Sequence, residues 1–204
     1  MKSILIANPK GGSGKTTLAT NLAGYFASVG RQVLLADLDR QQSAAGWLKR
    51  RPPHLPTIHN HMTRKQTVEA DWMVIDSPAG LHGEKLTAAV KLAELVIVPV
   101  QPSAFDMMAT GDFLRVLREV KAVRKEKSQV AMVGMRVDSR TRSAAELAEF
   151  LLAVEFPVLT YLRDTQLYVQ CANEGVSLFD LPPSRAARDT EQWQPLLDWI
   201  AAGS

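Results

Sequence analysis

The run Lys10-Gly11-Gly12-Ser13-Gly14-Lys15-Thr16-Thr17 carries the strongest chemistry in the chain. Gly11, Gly12 and Gly14 let successive backbone N–H groups turn inward around anionic oxygens without Cβ clashes. Lys15 is spaced to reach the β- and γ-phosphates of a nucleoside triphosphate, and Thr16 to offer its hydroxyl to Mg²⁺. Ser13 and Thr17 complete the loop. The common pattern G-x-x-x-x-G-K-[ST] asks for glycine at position 9. Here Pro9 stands instead, followed at once by a second lysine, Lys10.

Carboxylates of matching chemistry lie further on. Asp37 and Asp39 sit two residues apart in Leu35-Ala36-Asp37-Leu38-Asp39-Arg40-Gln41-Gln42. On a strand, that spacing points both the same way. A strand-end aspartate can equally cap the helix that follows. Asp76 ends the apolar run Met73-Val74-Ile75, a Walker B arrangement in which the carboxylate holds Mg²⁺ through a water. Four residues later, Gly80 is free to bring a backbone N–H to the γ-phosphate, which would make its loop a nucleotide sensor.

These residues need a scaffold that gathers strand ends. Apolar strand candidates are Ile4–Ala7, Val33–Asp37, Trp72–Asp76, Leu95–Val100, Val130–Met135 and Val158–Leu162. Most are unbroken apolar runs, as parallel strands buried on both faces require. Helical patterns lie between them. Thr17–Val29 spaces Leu18, Leu22, Phe26 and Val29 on one face, with Gly30 as its stop. Asp112–Lys127 repeats the pattern with Leu114, Leu117 and Val120, and Ser143-Ala144-Ala145-Glu146 reads as a capping box. Alternation of this kind predicts an α/β fold: a doubly wound, mostly parallel sheet with helices on both faces. Residues 1–204 read as one P-loop domain. Arg51–Pro56, with three prolines, reads as a loop.

The motif K-G-G-x-G-K-[ST] resembles the deviant Walker A signature of the ParA/MinD family of ATPases, and the chain resembles that family along nearly its whole length. In size it is similar to small ParA-type (ParF-like) partition ATPases, because it starts directly at the first strand without room for an N-terminal helix-turn-helix domain. The resemblance implies a sandwich of two subunits around two ATP molecules, with Lys10 crossing to phosphate bound by the other subunit. It implies that Asp39, in the family's D-x-D-P-Q pattern, orients the attacking water and that Asp37 supports the Mg²⁺ shell. This chain departs from that pattern at Arg40, where proline is usual. Arg136 and Arg163, at two strand ends that flank the adenine in the family, become candidate base or ribose contacts. The segment Pro99–Asp106 resembles a family segment that shapes the dimer face, although Ser103 and Asp106 also fit a plain capping box. Further implied properties are nonspecific DNA binding by the ATP dimer, a ParB-like adaptor that stimulates hydrolysis, and partition or positioning of a DNA or protein cargo.

Composition agrees with a cytoplasmic nucleotide enzyme. No apolar stretch approaches the roughly 20 residues needed to span a bilayer, and the N-terminus lacks a signal-peptide pattern. Cys171 stands alone, so it forms no internal disulfide and reads as a packing residue. The formal net charge of +3 permits nucleic-acid contact. Lys121, Arg124, Lys125 and Lys127 share one helix end, and Arg140, Arg142, Arg163, Arg185 and Arg188 add to the basic set. His54, His59 and His61 cluster near the prolines without a cysteine or acidic companion, which reads as a solvated loop. Trp193 and Trp199 read as packing against the body. Two other readings stay open. A metabolic ATP-dependent ligase or synthetase would need a substrate pocket beyond the γ-phosphate. A MinD-like membrane-site selector would need a basic amphipathic tail, whereas this tail carries Glu191 and Asp198.

Overall fold

A computed structural model describes residues 1–60 and 69–203. In chain order the elements are β1 (Lys2–Ile6), α1 (Lys15–Ser28), β2 (Val33–Asp37), α2 (Ser43–Arg50), β3 (Ile58–Asn60), β4 (Trp72–Asp76), α3 (Gly83–Lys91), β5 (Leu95–Val100), α4 (Ala104–Glu119), α5 (Lys121–Arg124), β6 (Gln129–Val137), α6 (Arg142–Leu152), β7 (Val158–Arg163) and α7 (Gln166–Glu174). A 3₁₀ turn (Leu178–Asp180), α8 (Pro183–Glu191) and α9 (Gln194–Ala202) follow.

The strands form a seven-stranded sheet in the order β3-β2-β4-β1-β5-β6-β7. Every pairing is parallel. Period-two side-chain alternation divides each strand between two cores. Ile4 and Ile6, with Val33, Leu35, Val74 and Ile97, face α1, α2, α7 and α9 through Leu18, Leu22, Phe26, Trp47, Cys171 and Trp193. Leu5, Ala36, Ile75, Val96 and Val98 face α3, α4, α5 and α6 through Leu86, Val90, Phe113, Leu117 and Leu147. Helices therefore cover both faces, as the unbroken apolar runs require.

β1 lies between β4 and β5; the chain leaves β1 toward β2 on one side, and leaves the neighbouring β4 toward β5 on the other. That is the topological switch point at which open α/β sheets bind ligands, beyond the strands' carboxyl ends. The loop after β1 is Ala7–Gly14. Asp37 and Asp76 end neighbouring strands as direct register partners. The sheet thus brings together three chain segments that lie far apart in sequence.

Several boundaries differ from the sequence reading. β3 was absent from it, because Ile58–Asn60 is a three-residue edge strand beside the proline loop. The helix expected over Asp112–Lys127 begins earlier, at Ala104, and breaks at Val120, whose backbone is extended at φ −65° and ψ 125°. Turning out of the helix there places the Val120 side chain in the core. Ser143 is not the cap of α6. Thr141 takes that place, its hydroxyl accepting from the Ala144 N–H at 3.3 Å, while Glu146 pairs with Arg142 at 2.9 Å. Ser103 does stand at the N-cap of α4, but its side chain makes no capping bond. Gly30 ends α1 as expected, with φ at 79°. The Arg31 N–H reaches the Phe26 carbonyl and the Gly30 N–H reaches that of Ala27, a Schellman closure.

Trp193 is fully buried, and its indole N–H donates to the Tyr168 hydroxyl at 3.0 Å. Cys171 packs in the same core. His54 and His59 lie in the loop and on β3, and His61 lies outside the described residues. Among the described residues, no helix is long and apolar enough to cross a membrane.

Candidate nucleotide site

The loop after β1 is held from below. The buried Asn8 side chain donates to the Pro99 carbonyl at 2.6 Å and to the Thr110 hydroxyl at 3.0 Å, and accepts from the Lys10 N–H at 2.8 Å. Gln101 donates to the Gly12 carbonyl. These bonds tie the loop to β5 and α4. Gly12 and Gly14 have φ of +77° and +100°, a backbone region that side chains resist. A Cβ on Gly14 would also stand 2.8 Å from the Met135 methyl. Gly11 needs no such freedom. Gly14 is the N-cap of α1, so the loop runs into the positive end of that helix.

Lys15 is buried. Its ammonium donates to the Lys10 carbonyl at 2.8 Å and to the Ser13 hydroxyl at 3.5 Å. Burial lowers its pKa, against the attraction of Asp76 and Asp39. A triphosphate at the loop would restore the charge balance that burial disturbs. The Lys10 ammonium, by contrast, has no hydrogen-bond or ion-pair partner among the described residues, and Lys10 does not line the cavity described below.

The Thr16 hydroxyl donates to Asp76 Oδ2 at 2.7 Å. Asp76 is 1% exposed, and its Oδ1 has no partner among the described residues. Burial pushes its pKa up to about 7, with Asp37 and Asp39 adding to the rise and the Thr16 bond and Lys15 opposing it. An orphaned carboxylate oxygen beside a threonine hydroxyl is a hard-oxygen half-shell. It fits Mg²⁺, which keeps several waters and takes the rest of its ligands from phosphate. The neighbouring Ser77 hydroxyl is also buried without a partner.

Asp37 and Asp39 do not share one task. Asp37 accepts from the Asp39 N–H at 3.0 Å and, with its other oxygen, from the Ala45 N–H at 2.9 Å. Both oxygens are thereby engaged in holding the loop and the first turn of α2, the capping role. Asp39 accepts from the Gln41 N–H at 2.9 Å and from the Ala79 N–H at 3.3 Å, which ties the loop after β2 to the loop after β4. Gly80 donates to the Pro9 carbonyl at 2.8 Å, so the N–H expected to sense phosphate is bonded to the phosphate loop itself.

A cavity of about 840 Å³ joins these parts. It is lined by Gly11–Thr17 on one side, by Asp39, Arg40, Gln41 and Ser43 on another, and by Pro78 and Ala79. A nucleotide has room there. Arg136 and Arg163 do stand at adjacent ends of β6 and β7, but neither lines this cavity. Arg136 pairs with Asp164 at 3.2 Å. Arg163 makes a two-pronged pair with the buried Asp189 at 2.6 and 2.9 Å. The sequence reading passed over Asn8, Ser77 and Gln101. Ser77 had a signal, since it directly follows Asp76. Asn8 had one in its place just before the loop. Gln101 had none.

Known proteins fit this geometry. Residues 4–178 match the CobQ/CobB/MinD/ParA nucleotide binding domain. The Maintenance of carboxysome distribution protein A of Gloeobacter kilaueensis is 31% identical over 184 residues, covering 86% of this chain and 82% of that one. A plasmid partition protein of Borrelia burgdorferi B31 bound to AMPPNP superposes with a TM-score of 0.74 at 18% identity, covering 97% of this chain and 98% of the other. Cobyrinic acid a,c-diamide synthase of Mycobacterium smegmatis, with an ATP analog and magnesium bound, gives 0.66 at 23% identity, covering 85% and 93%. ATP-type ligands and magnesium thus occupy this fold in its solved neighbours. Since the match to the domain extends from within β1 past β7, across the phosphate loop and both carboxylate loops, the chain belongs to the CobQ/CobB/MinD/ParA nucleotide-binding family.

Proposed function

We propose that this chain is a Mg²⁺-dependent ATPase of the ParA type, built as a single P-loop domain. ATP binding pairs it with a second copy, the pair holds DNA without regard to sequence, and hydrolysis stimulated by a ParB-like adaptor releases it. Cycling between nucleoid-bound and free states in the cytoplasm would distribute a DNA or protein cargo. The observation that carries this reading is the division of labour between two lysines of one loop. Lys15 is buried and turned into the loop, while the Lys10 ammonium is unpaired among the described residues and stands outside its own chain's cavity. A cation so placed is available to a nucleotide held by another copy.

Each residue then has a task. Gly11, Gly12, Ser13, Gly14 and Thr17 present backbone and hydroxyl donors to the phosphates, and Lys15 exchanges the Lys10 carbonyl for phosphate oxygens. Thr16 and Asp76 would hold Mg²⁺, with Asp37 behind them. The ion, when bound, offsets charge between the β- and γ-phosphates. Asp39, released from the Ala79 N–H, accepts a hydrogen bond from the attacking water and aims it. Gly80 exchanges the Pro9 carbonyl for the γ-phosphate, so that loss of phosphate returns the loop to its present bonds. The ends of β6 and β7, at Arg136 and Arg163, are where the base would lie.

For DNA, the exposed end of the α4–α5 region offers Lys121, Arg124, Lys125 and Lys127, all exposed. Their spread along one surface suits phosphate contacts. If the ATP pair neutralises about four phosphates, affinity should fall roughly a hundredfold between about 50 and about 200 mM salt. The decisive experiment is a gel shift on nonspecific duplex DNA with and without ATP, run beside light scattering on the parent chain and Lys10→Ala. ATP-dependent retention and an ATP-dependent rise in mass, both lost in Lys10→Ala, are expected. A parent chain that hydrolyses ATP yet neither pairs nor retains DNA would replace this reading with the small-molecule synthetase one.

A further inference from the structure

The geometry points to Arg40 as a cation that this chain supplies to its own γ-phosphate, a substrate-contacting residue that lowers the need for an outside partner in hydrolysis. This rests on the ATPase reading above. Two of the residues lining the nucleotide cavity are cationic, Lys15 and Arg40. Lys15 lies at the floor. Arg40 lines the cavity directly after Asp39 and is exposed. Most other described arginines are spoken for. Arg51 pairs with Asp180, Arg136 with Asp164, Arg140 with Asp138 and Arg163 with Asp189. Arg40 has no hydrogen-bond or ion-pair partner among the described residues.

The loop that carries Arg40 is held at both ends. Gln42 has a left-handed backbone at φ 52°, and its side-chain amide donates to the Asp37 and Asp39 carbonyls at 3.3 and 3.2 Å. The Asp39 carboxylate is tied to Gln41 and Ala79. Arg40 is therefore a free guanidinium on a fixed base, next to the carboxylate assigned to the water. Proline at this position, the usual residue of the D-x-D-P-Q pattern, has no charge to offer.

In hydrolysis a water oxygen bonds to the γ-phosphorus while the bond from that phosphorus to the β,γ-bridging oxygen breaks. The bond's electron pair stays on the β-phosphate of ADP. One water proton stays on the released phosphate and the other passes to solvent. Charge grows on the bridging and equatorial oxygens as this happens. A guanidinium reaching those oxygens stabilises that change more than it stabilises bound ATP, and its planar fork suits them better than an ammonium would.

The test uses the full chain without DNA or adaptor. Arg40→Gln, Arg40→Lys and Arg40→Pro are compared with the parent, and Arg31→Gln, an exposed arginine at the far end of α1, serves as control. Two quantities are read: the basal ATPase rate, and the ADP affinity by calorimetry with and without fluoroaluminate, which mimics the transferring phosphoryl group. Arg40→Gln should lower the rate at least about tenfold, a small share of the effect that arginine fingers reach. It should leave ADP affinity within about twofold and remove most of the tightening that fluoroaluminate gives the parent. Arg40→Lys should recover only part of both. Arg40→Gln with the parent's rate and the parent's fluoroaluminate tightening would overturn the assignment. So would a loss confined to Arg40→Pro, since that reports loop stiffness. A parent chain that binds no ATP would instead remove the ATPase reading and this inference with it.

Discussion

Replacing Gly175 with alanine isolates how α2 is held against α7. Gly175 closes α7 at φ 71° and ψ 24°, with its N–H donating to the Cys171 carbonyl. A Cβ there would stand 2.5 Å from the carbonyl carbon of Arg50, 2.6 Å from the nitrogen of Arg51 and 2.7 Å from the Arg50 oxygen. All three are backbone atoms at the end of α2. They cannot retreat easily, because the Arg51 guanidinium forms a buried pair with Asp180 at 2.9 Å. Gly30 offers the comparison, with a φ of 79° and nothing within 4 Å of its added Cβ. Gly30→Ala should therefore cost only the left-handed penalty, about 1–2 kcal/mol. Gly175→Ala adds overpacking of about 1–3 kcal/mol, for a total of about 2–5 kcal/mol. That is a large part of a stability on the order of 5–15 kcal/mol. Urea unfolding followed by circular dichroism measures both variants, and unchanged m values would place the effect in the folded state. ATP affinity should also fall in Gly175→Ala alone, because the other end of α2 holds Asp37 through the Ala45 N–H. Equal losses in the two variants would refute the close approach of α7 to α2.

Lys15→Ala should abolish nucleotide binding, because it removes the buried cation of the loop; retained micromolar ATP affinity in calorimetry would contradict that role. Asp39→Ala should keep ATP binding and pairing yet stop turnover, read by phosphate release, and normal hydrolysis would remove Asp39 from the water. Burial pushes the Cys171 thiol up to about 11, so the native chain should resist a thiol-reactive dye in mildly alkaline buffer and react at once in concentrated guanidinium. Burial works to raise the Asp180 carboxyl, but bonds from Arg51 and Ser177 outweigh it and hold the group below its ordinary value. A folded value below the unfolded one contributes stability above the unfolded value, and that contribution drains as acid titrates the folded group. Asp180→Asn should thus flatten the acid limb of a stability–pH curve.

Much of this molecule was legible because its signals are local. Phosphate loops are contiguous, and strands buried on both faces announce themselves as apolar runs, so six of the strands and the three chemical loops fell where the residues indicated. What escaped was set at a distance. Ile58–Asn60 is a strand only because β2 offers it an edge. Helix α4 stops at Glu119 with neither glycine nor proline, because burying Val120 outweighs helical propensity. Arg163 reads as a candidate base or ribose contact, but the fold brings Asp189, far along the chain, against it. Asp37 and Asp39 share a spacing that treats them alike, yet the Asp39 N–H takes one oxygen of the first and the first turn of α2 takes the other. Spacing reveals which groups can do chemistry, and tertiary neighbours decide which remain free to do it.

The sheet sorts its side chains into two cores that meet only through its own plane. One compartment carries the phosphate loop's helix; the other carries the basic end at α5. Substitutions in separate compartments should combine additively. A lineage could therefore redraw the exposed α5–α6 surface and leave the opposite layer's packing intact, with α4 as the exception, because its Thr110 bonds Asn8 beneath the phosphate loop.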